Sequence, residues 1–479
     1  MRARTAALCV PALLACGCSL APRYEVPASS DVERYKESGD WLPARPADSA
    51  PRGPWWRSFG EPQLDELESE LQKANPDLRA ALARFEAARA VALSARSAVF
   101  PSLGAGASAT RERTSANAPL GRLLGSSAVT YNDFIAAFTL SWEIDVFGRL
   151  RNAASAAHAE SQASAADLAA VELSLQAELA TDYFSLRGAD ATTRLLETTV
   201  KDYERAYQLT RNRYQEGIAA ATDVDQSQTQ LQSARAQLAA VHLERAQLEH
   251  AIAVLLGRPP SSFDLTPGAL AAPPPPIDIG LPSELLQRRP DVARAERAVA
   301  AANAQIGVAR AAWFPVFSLS SATAGFESVS SASWFKAPSH FWSVGPSGEV
   351  PILDAGARLG QTRQAHAAYD EAVAAYRKTT LTAYQEVEDN LAALRELAVE
   401  LAADQAAAAS AQSAAHHADE RYDAGVADYI EVTTTHTAAL LAQRDAITVQ
   451  VAQLNAAVGL VRATGGGWTR AQLAGPVLP

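Results

Sequence analysis

The chain has almost no sulfur chemistry to offer: of its 479 residues three are cysteine and one is methionine. Cys9, Cys16 and Cys18 all lie at the very start, so a mature chain beginning at Cys18 keeps no further thiol for disulfides, metals or nucleophilic catalysis. Lysine and arginine are outnumbered 42 to 53 by aspartate and glutamate, and the formal net charge is −11. No stripe of clustered Lys and Arg stands against that balance, which excludes nucleic acid as a partner. Beyond the start no run of about eighteen apolar residues occurs, so the mature chain has no transmembrane helix and any spanning part has to be a barrel. There is no Gly-rich phosphate loop after a strand, no zinc-type spacing and no matched nucleophile, acid and base. An enzyme would have no machinery here.

What is present begins with an export signal over residues 1–17: Arg2 and Arg4, an apolar run from Ala6 to Ala15, then small residues. A cysteine directly after a short signal points to lipid modification. Cys18, preceded by Gly17, is favoured, and Cys16, preceded by Leu13-Leu14-Ala15, is the alternative. The covalent lipid is the only non-protein group expected; no cofactor and no metal is. Residues 18–60, rich in Pro, Ser and Ala without periodicity, read as a lipid-anchored extended arm.

The rest of the chain is written twice. Ala95-Arg96-Ser97-Ala98-Val99-Phe100-Pro101 matches Ala309-Arg310-Ala311-Ala312-Trp313-Phe314-Pro315, and Asn75-Pro76-Asp77-Leu78 matches Arg289-Pro290-Asp291-Val292, both at an offset of 289 − 75 = 214. Arg213-Tyr214-Gln215-Glu216-Gly217 matches Arg421-Tyr422-Asp423-Ala424-Gly425 at 421 − 213 = 208. A repeated unit therefore fills 61–256 and 283–463. The Pro-rich stretch 257–282 connects the copies, because Gly257, Pro259, Pro260 and the run Pro273 to Pro276 cannot continue a helix. A tail, 464–479, follows.

Two periods alternate inside each copy. Leu168, Val171, Leu175, Leu179, Tyr183 and Leu186, then Leu231, Leu238, Val241, Leu248, Ile252 and Leu255, recur at steps of three and four. The second copy repeats this at Tyr369, Val373, Tyr376, Tyr384, Val387, Leu391, Leu394 and Leu401, then at Leu440, Ile447, Val451, Leu454, Val458 and Val461. Such spacing predicts long coiled-coil hairpins over about 149–256 and 357–463, with a rod from Arg149 of roughly 90 Å at 1.5 Å per residue. A period of two appears at Phe134, Ala136, Phe138, Leu140, Trp142 and Ile144, and again at Trp342, Val344, Pro346, Gly348 and Val350. Read alone, this alternation fits either an amphipathic strand of a soluble sheet or a barrel strand between lipid and water. Strands are expected at about 100–111, 131–146, 314–325 and 340–352. Four strands cannot close a membrane barrel, whose minimum is about eight, so spanning strands require several chains.

These residues resemble the outer membrane factor, TolC-like, family, and most closely its lipoprotein branch serving resistance-nodulation-division efflux. The resemblance rests above all on Gly280-Leu281-Pro282-Ser283-Glu284-Leu285-Leu286-Gln287-Arg288-Arg289-Pro290-Asp291. Ala295-Glu296-Arg297, Ala304-Gln305-Ile306-Gly307-Val308-Ala309, Trp55-Trp56, Asp145-Val146-Phe147-Gly148-Arg149, Leu353-Asp354-Ala355-Gly356 and Gly465-Gly466-Gly467-Trp468 support it. It implies a mostly helical homotrimer with a small β part: a twelve-stranded barrel in outer-membrane lipid and a helical tunnel in the periplasm. It also implies a periplasmic adaptor protein and an inner-membrane resistance-nodulation-division pump as partners, with drugs or small molecules as cargo. An outer-membrane component of protein secretion is the alternative within transport, and a non-channel periplasmic coiled-coil protein the alternative outside it.

The resemblance further implies that the hairpin tips are the periplasmic gate and the adaptor contact. Arg213, Tyr214 and Gly217 with Asp223, and Arg421, Tyr422 and Gly425 with Asp428 and Glu431, are the residues concerned. Glu431 is the leading candidate for an acidic ring, with Asp223 its first-copy equivalent, and Thr434 stands where the family often has a second aspartate. The same residues also suit plain helix ends, since glycine ends helices in the left-handed conformation. Trp142, Trp334, Phe335 and Trp342 are candidates for interfacial aromatic belts. His416-His417 with Glu420 reads as a solvated helix face, because no motif supplies another ligand.

Overall fold

In the computed structural model, which describes residues 19–28, 35–38, 54–117, 122, 125, 128–274, 288–319 and 322–468, the duplication holds at the level of single helix boundaries. Seven α-helices occur among the described residues: α1 (Pro62–Ala74), α2 (Pro76–Ser97), α3 (Arg149–Gln215), α4 (Ala221–Leu255), α5 (Pro290–Ala311), α6 (Ala357–Asp423) and α7 (Tyr429–Ala463). α2 and α5 are both 22 residues long and 214 apart. α3 and α6 are both 67 long, and α4 and α7 both 35 long, each pair 208 apart.

Helix ends explain the match. The N–H groups of Gly217 and Ile218 donate to the carbonyls of Tyr214 and Arg213, at 3.0 and 2.8 Å. Those of Gly425 and Val426 donate to Tyr422 and Arg421, both at 3.0 Å, with the glycines at φ 75° and 74°. This is the Schellman closure, which satisfies the last carbonyls of a helix and needs a residue without Cβ at its left-handed position. At the other hairpin end, Asn75 Nδ2 donates to Leu255 O at 2.7 Å and Arg289 Nη1 donates to Ala463 O at 3.0 Å. Equivalent side chains, 214 residues apart, thus cap equivalent helices.

The chain forms two compact units: Met1–Ala28 with Phe85–Ser164 and Ala295–Tyr376, and Ser29–Arg84 with Ala165–Arg294 and Arg377–Pro479. The first carries the strands: β1 (Ser102–Arg113), β2 (Thr130–Ser141), β3 (Glu143–Ile144), β4 (Val316–Ser318), β5 (Ala322–Ser328), β6 (His340–Ser343) and β7 (Ser347–Glu349). They pair antiparallel in the orders β1-β2-β5-β6 and β3-β4-β7. Three of the four expected strands are therefore interrupted. The path 131–146 breaks at Trp142, whose carbonyl still accepts Leu319 N–H at 2.7 Å, and 340–352 breaks at Val344-Gly345-Pro346, where proline has no N–H for the ladder. The expected 314–325 begins after Pro315 and runs on to Ser328 as β4 and β5.

The second unit holds the main core, in which Trp55, Trp56, Leu64 and Leu71 pack on Leu179, Tyr183, Phe184, Ile252, Leu256, Leu454 and Val458. None of the residues at helical spacing that the sequence marks as seam positions is exposed. Among the described residues one helix, α7, is apolar and long enough to cross a membrane, but Leu454 and Val458 are 0–1% exposed in this core. Two arginines at equivalent positions, Arg187 and Arg395, pin the chain segments that cross the rods. Arg187 is buried, pairs with Asp190 at 2.7 Å and donates to Thr266 O at 2.9 Å in the connector, with Gly268 leaving room for its guanidinium. Arg395 pairs with Glu37 at 2.7 Å, and Glu388 accepts the N–H groups of Lys36 and Glu37 at 2.7 and 2.9 Å.

Glu68 on α1 is fully buried, and both its carboxyl oxygens lack a hydrogen-bond partner among the described residues. Burial, then the charges of Glu172 and Asp65, push its carboxyl up from 4.5 to about 9. The native state keeps a proton that the unfolded chain releases, so stability falls as pH climbs from about 4.5 towards 9 and levels off above. Glu68→Gln should stabilise the protein at pH 7 by an amount on the order of a few kcal/mol and flatten that decline. Melting curves across this pH range check it; an unchanged slope would show that Glu68 ionises in the native state.

Candidate functional site: hairpin tips and the anchored arm

The two helix-to-helix turns lie together in the second unit. The Arg213 guanidinium stacks on the Tyr422 ring with 4.5 Å to the centroid, donates to Tyr422 O at 3.4 Å and lies 3.8 Å from Asp423. One cation thus ties the end of α3 to the end of α6. Within the second hairpin, Arg421 Nε meets Glu431 Oε1 at 3.3 Å, and Tyr422 meets Tyr429 edge-on at 5.5 Å. Tyr429 is buried with Ala418 and Val432, and that burial pushes its hydroxyl up to about 12. The Arg421–Glu431 pair is largely solvated and worth at most about 1 kcal/mol. The stacked, partly covered Arg213–Tyr422 contact is the stronger tie.

The other tip residues divide. Tyr214 and the equivalent pair Ile218 and Val426 point outward, at 49%, 72% and 68% exposure. Asp223 accepts the Ala220 N–H at 3.2 Å, helping to start α4 where alanine offers no cap. Asp428 is exposed and its side chain makes no capping bond to α7. Of the three acids singled out, Asp223 and Glu431 have partners inside the protomer, and Asp428 is the acid left open. Sequence reasoning did not mark Asp423, or the link of His436 Nε2 to both oxygens of Asp419 at 2.8 and 3.0 Å that joins α7 to α6. No local pattern signals them, because each joins side chains of two different helices. His416 and His417 are well exposed, each 3.4 Å from Glu420, and no metal-holding group of acids and histidines occurs among the described residues.

The first unit shows where the N-terminal arm runs. Ser19 Oγ donates to Asn152 Oδ1 at 2.9 Å, on the first turn of α3, which follows β3 directly. Asn303 Nδ2 donates to Pro22 O at 2.9 Å, and the Tyr24 hydroxyl donates to Glu296 beneath the Arg297 guanidinium. Gly307 lets Ala21 approach, since a Cβ there would lie 2.6 Å from it. Cys16 and Cys18 lie outside the described residues.

The sheet has two chemically distinct faces. By register, Leu103, Ala105, Ala107 and Ala109 share one face with Leu140, Phe138, Ala136 and Phe134, with Ala324 and Phe326, and with Trp342. Ser102, Thr139, Ser108, Asp133, Glu112, Glu327 and Ser343 lie on the other. An apolar face of exposed Leu103, Phe138 and Trp342 backed by an acidic, hydroxylated one suits lipid outside and water inside. Aromatic residues frame it, with Trp334 and Phe335 stacked at 4.9 Å by Phe134 and Phe326, and Phe147 stacked on Phe314 at 4.6 Å.

Strands for a shared barrel joined to two long helical hairpins define an outer-membrane channel that continues as a helical tunnel. The comparisons with known proteins agree. The family model for outer membrane efflux proteins matches residues 67–258 and 281–466, and the chain belongs to that family. It is 33% identical over 467 residues, 96% of this chain and 95% of the relative, to the probable efflux pump outer membrane protein TtgC of Pseudomonas putida. It is 31% identical over 462 residues, 95% of this chain and 97% of the relative, to the cation efflux system protein CusC of Escherichia coli. The structure of the CmeC outer membrane channel of Campylobacter jejuni superposes with a TM-score of 0.88 at 25% identity, covering 95% of this chain and 96% of that one. The chain is thus a transport component, the outer-membrane channel of an efflux system, and three chains complete its barrel. An isolated periplasmic coiled-coil protein is excluded.

Proposed function

We propose that this channel is the exit duct for drugs or other small molecules in a tripartite pump, joined at its hairpin tips to a periplasmic adaptor and through it to a resistance-nodulation-division pump. The Arg213–Tyr422 tie carries the proposal, because it is a partly covered link between the two hairpins at their helix-to-helix turns. The tips rest closed with that tie and the Arg421–Glu431 pair made. Adaptor contacts on exposed Ile218 and Val426 replace them and shift the population to an open packing. Three copies of Asp428 around the axis repel one another and favour cations in the aperture. Cargo is selected elsewhere: one relative's name specifies cations, and nothing in these tips recognises a particular solute. Cys18 carries the lipid, since Ser19 is held at the first turn of α3, beside the strands that meet the membrane.

Two outcomes are expected. Losing a stacked, hydrogen-bonded contact of about 1–2 kcal/mol should raise the open probability of Arg213→Ala or Tyr422→Ala channels in planar bilayers about tenfold. Asp428→Asn should lower cation preference without opening the channel; parental behaviour in all three variants would remove the gate from the tips. Palmitate labelling should vanish in Cys18→Ser and persist in Cys16→Ser, and the reverse pattern would move the anchor.

A further inference from the structure

Positive charge gathers at one place on this acidic chain. On β1 the lipid-side positions Leu103, Ala105, Ala107 and Ala109 continue, at the same alternation, into Arg111 and Arg113 next to the β1–β2 loop. Both side chains are exposed, and neither has an ion pair among the described residues. The carboxylates at that end of the sheet, Glu112, Asp133 and Glu327, alternate to the opposite face, where Tyr131 donates to Glu112 at 2.9 Å. The loops around the rim contribute Arg122 and Lys336 and contain no acid across 114–129 and 329–339. β6, the edge that must close against β1 of the next chain, is His-Phe-Trp-Ser and brings no carboxylate either. Among the described residues, then, no carboxylate meets the two guanidiniums on their face of the sheet.

Their height is set by the aromatic cluster. Phe134, paired with Ala109, packs on Trp334 at 5.4 Å, and such rings sit at the headgroup level of a bilayer. Arg111 lies two residues further along β1, about 7 Å beyond.

We propose that Arg111 and Arg113 form a docking site for the phosphorylated headgroups of the outer leaflet. A planar guanidinium takes a phosphate through two parallel N–H bonds, and two spaced by one residue on one strand face offer four such donors to the headgroups beside them. The inference rests on the barrel's placement in the outer membrane. Three copies would ring the rim with lipid phosphate.

The test is native mass spectrometry of the trimer in neutral detergent after incubation with phosphatidic acid or with phosphatidylcholine. The parent should retain phosphatidic acid preferentially, and excess inorganic phosphate should not displace it. The preference should fall about fivefold in Arg111→Gln and further in Arg111→Gln/Arg113→Gln, with both variants running as heat-modifiable trimers. Equal retention of both lipids by the parent, or displacement by inorganic phosphate, overturns the proposal. So does parental retention by a folded single variant, which serves if the double variant fails to assemble. Loss of the trimer in the parent itself would instead refute the barrel reading.

Discussion

An open sheet edge cannot face hydrocarbon, and the architecture follows from that prohibition. The four-stranded sheet of each chain has β1 and β6 at its edges, both with unpaired backbone groups on one side. Water could satisfy those groups; lipid cannot, at several kcal/mol for each one left unpaired. Closure with further copies of the chain is the only arrangement that pairs them. Threefold closure then brings three pairs of hairpins around one axis, which turns rods that would be unremarkable singly into the wall of a tunnel.

The duplication supplies those rods economically. The same helix end, a Schellman closure on Gly217 or Gly425, is made twice, and so is the cap on the returning helix, by Asn75 and by Arg289. The copies differ where they meet other segments. Arg187 clamps the connector through buried partners, whereas Arg395 holds the N-terminal arm in a more exposed pair. At the tips, Arg213 reaches Tyr422 while Arg421 turns to Glu431 of its own hairpin. Near-symmetry builds the frame, and its violations make the contacts that can open.

Much of this was legible in the residues because period and punctuation are local. Steps of three and four, interrupted by Gly217 and Gly425, marked the rods and their turns, and a period of two marked the strand paths. The breaks at Trp142 and around Val344 to Pro346 were not legible, since strand continuity depends on which partner backbone lies alongside. At the tips the residue types were readable but their pairings were not. Glu431 reads from sequence as the leading candidate for an acidic ring, with nothing local to show that Arg421 meets it, and Arg213 carries no sign that it covers Tyr422. Those contacts join positions about 10 or about 209 apart, and only the three-dimensional course of the chain decides between them.

Closure of the barrel between chains is the claim on which the rest stands, and it can be tested directly by cross-linking. Within one protomer β1 and β6 lie three strand spacings apart, about 14 Å, which is beyond the reach of a disulfide. Cysteines scanned along β1 from Leu103 to Ala109 against Trp342→Cys in β6 should therefore link only different chains. Oxidation in outer membranes is expected to give a ladder ending at a covalent trimer for at least one pair. A scan that produces no inter-chain disulfide at any position, or only monomers joined within themselves, would contradict the account.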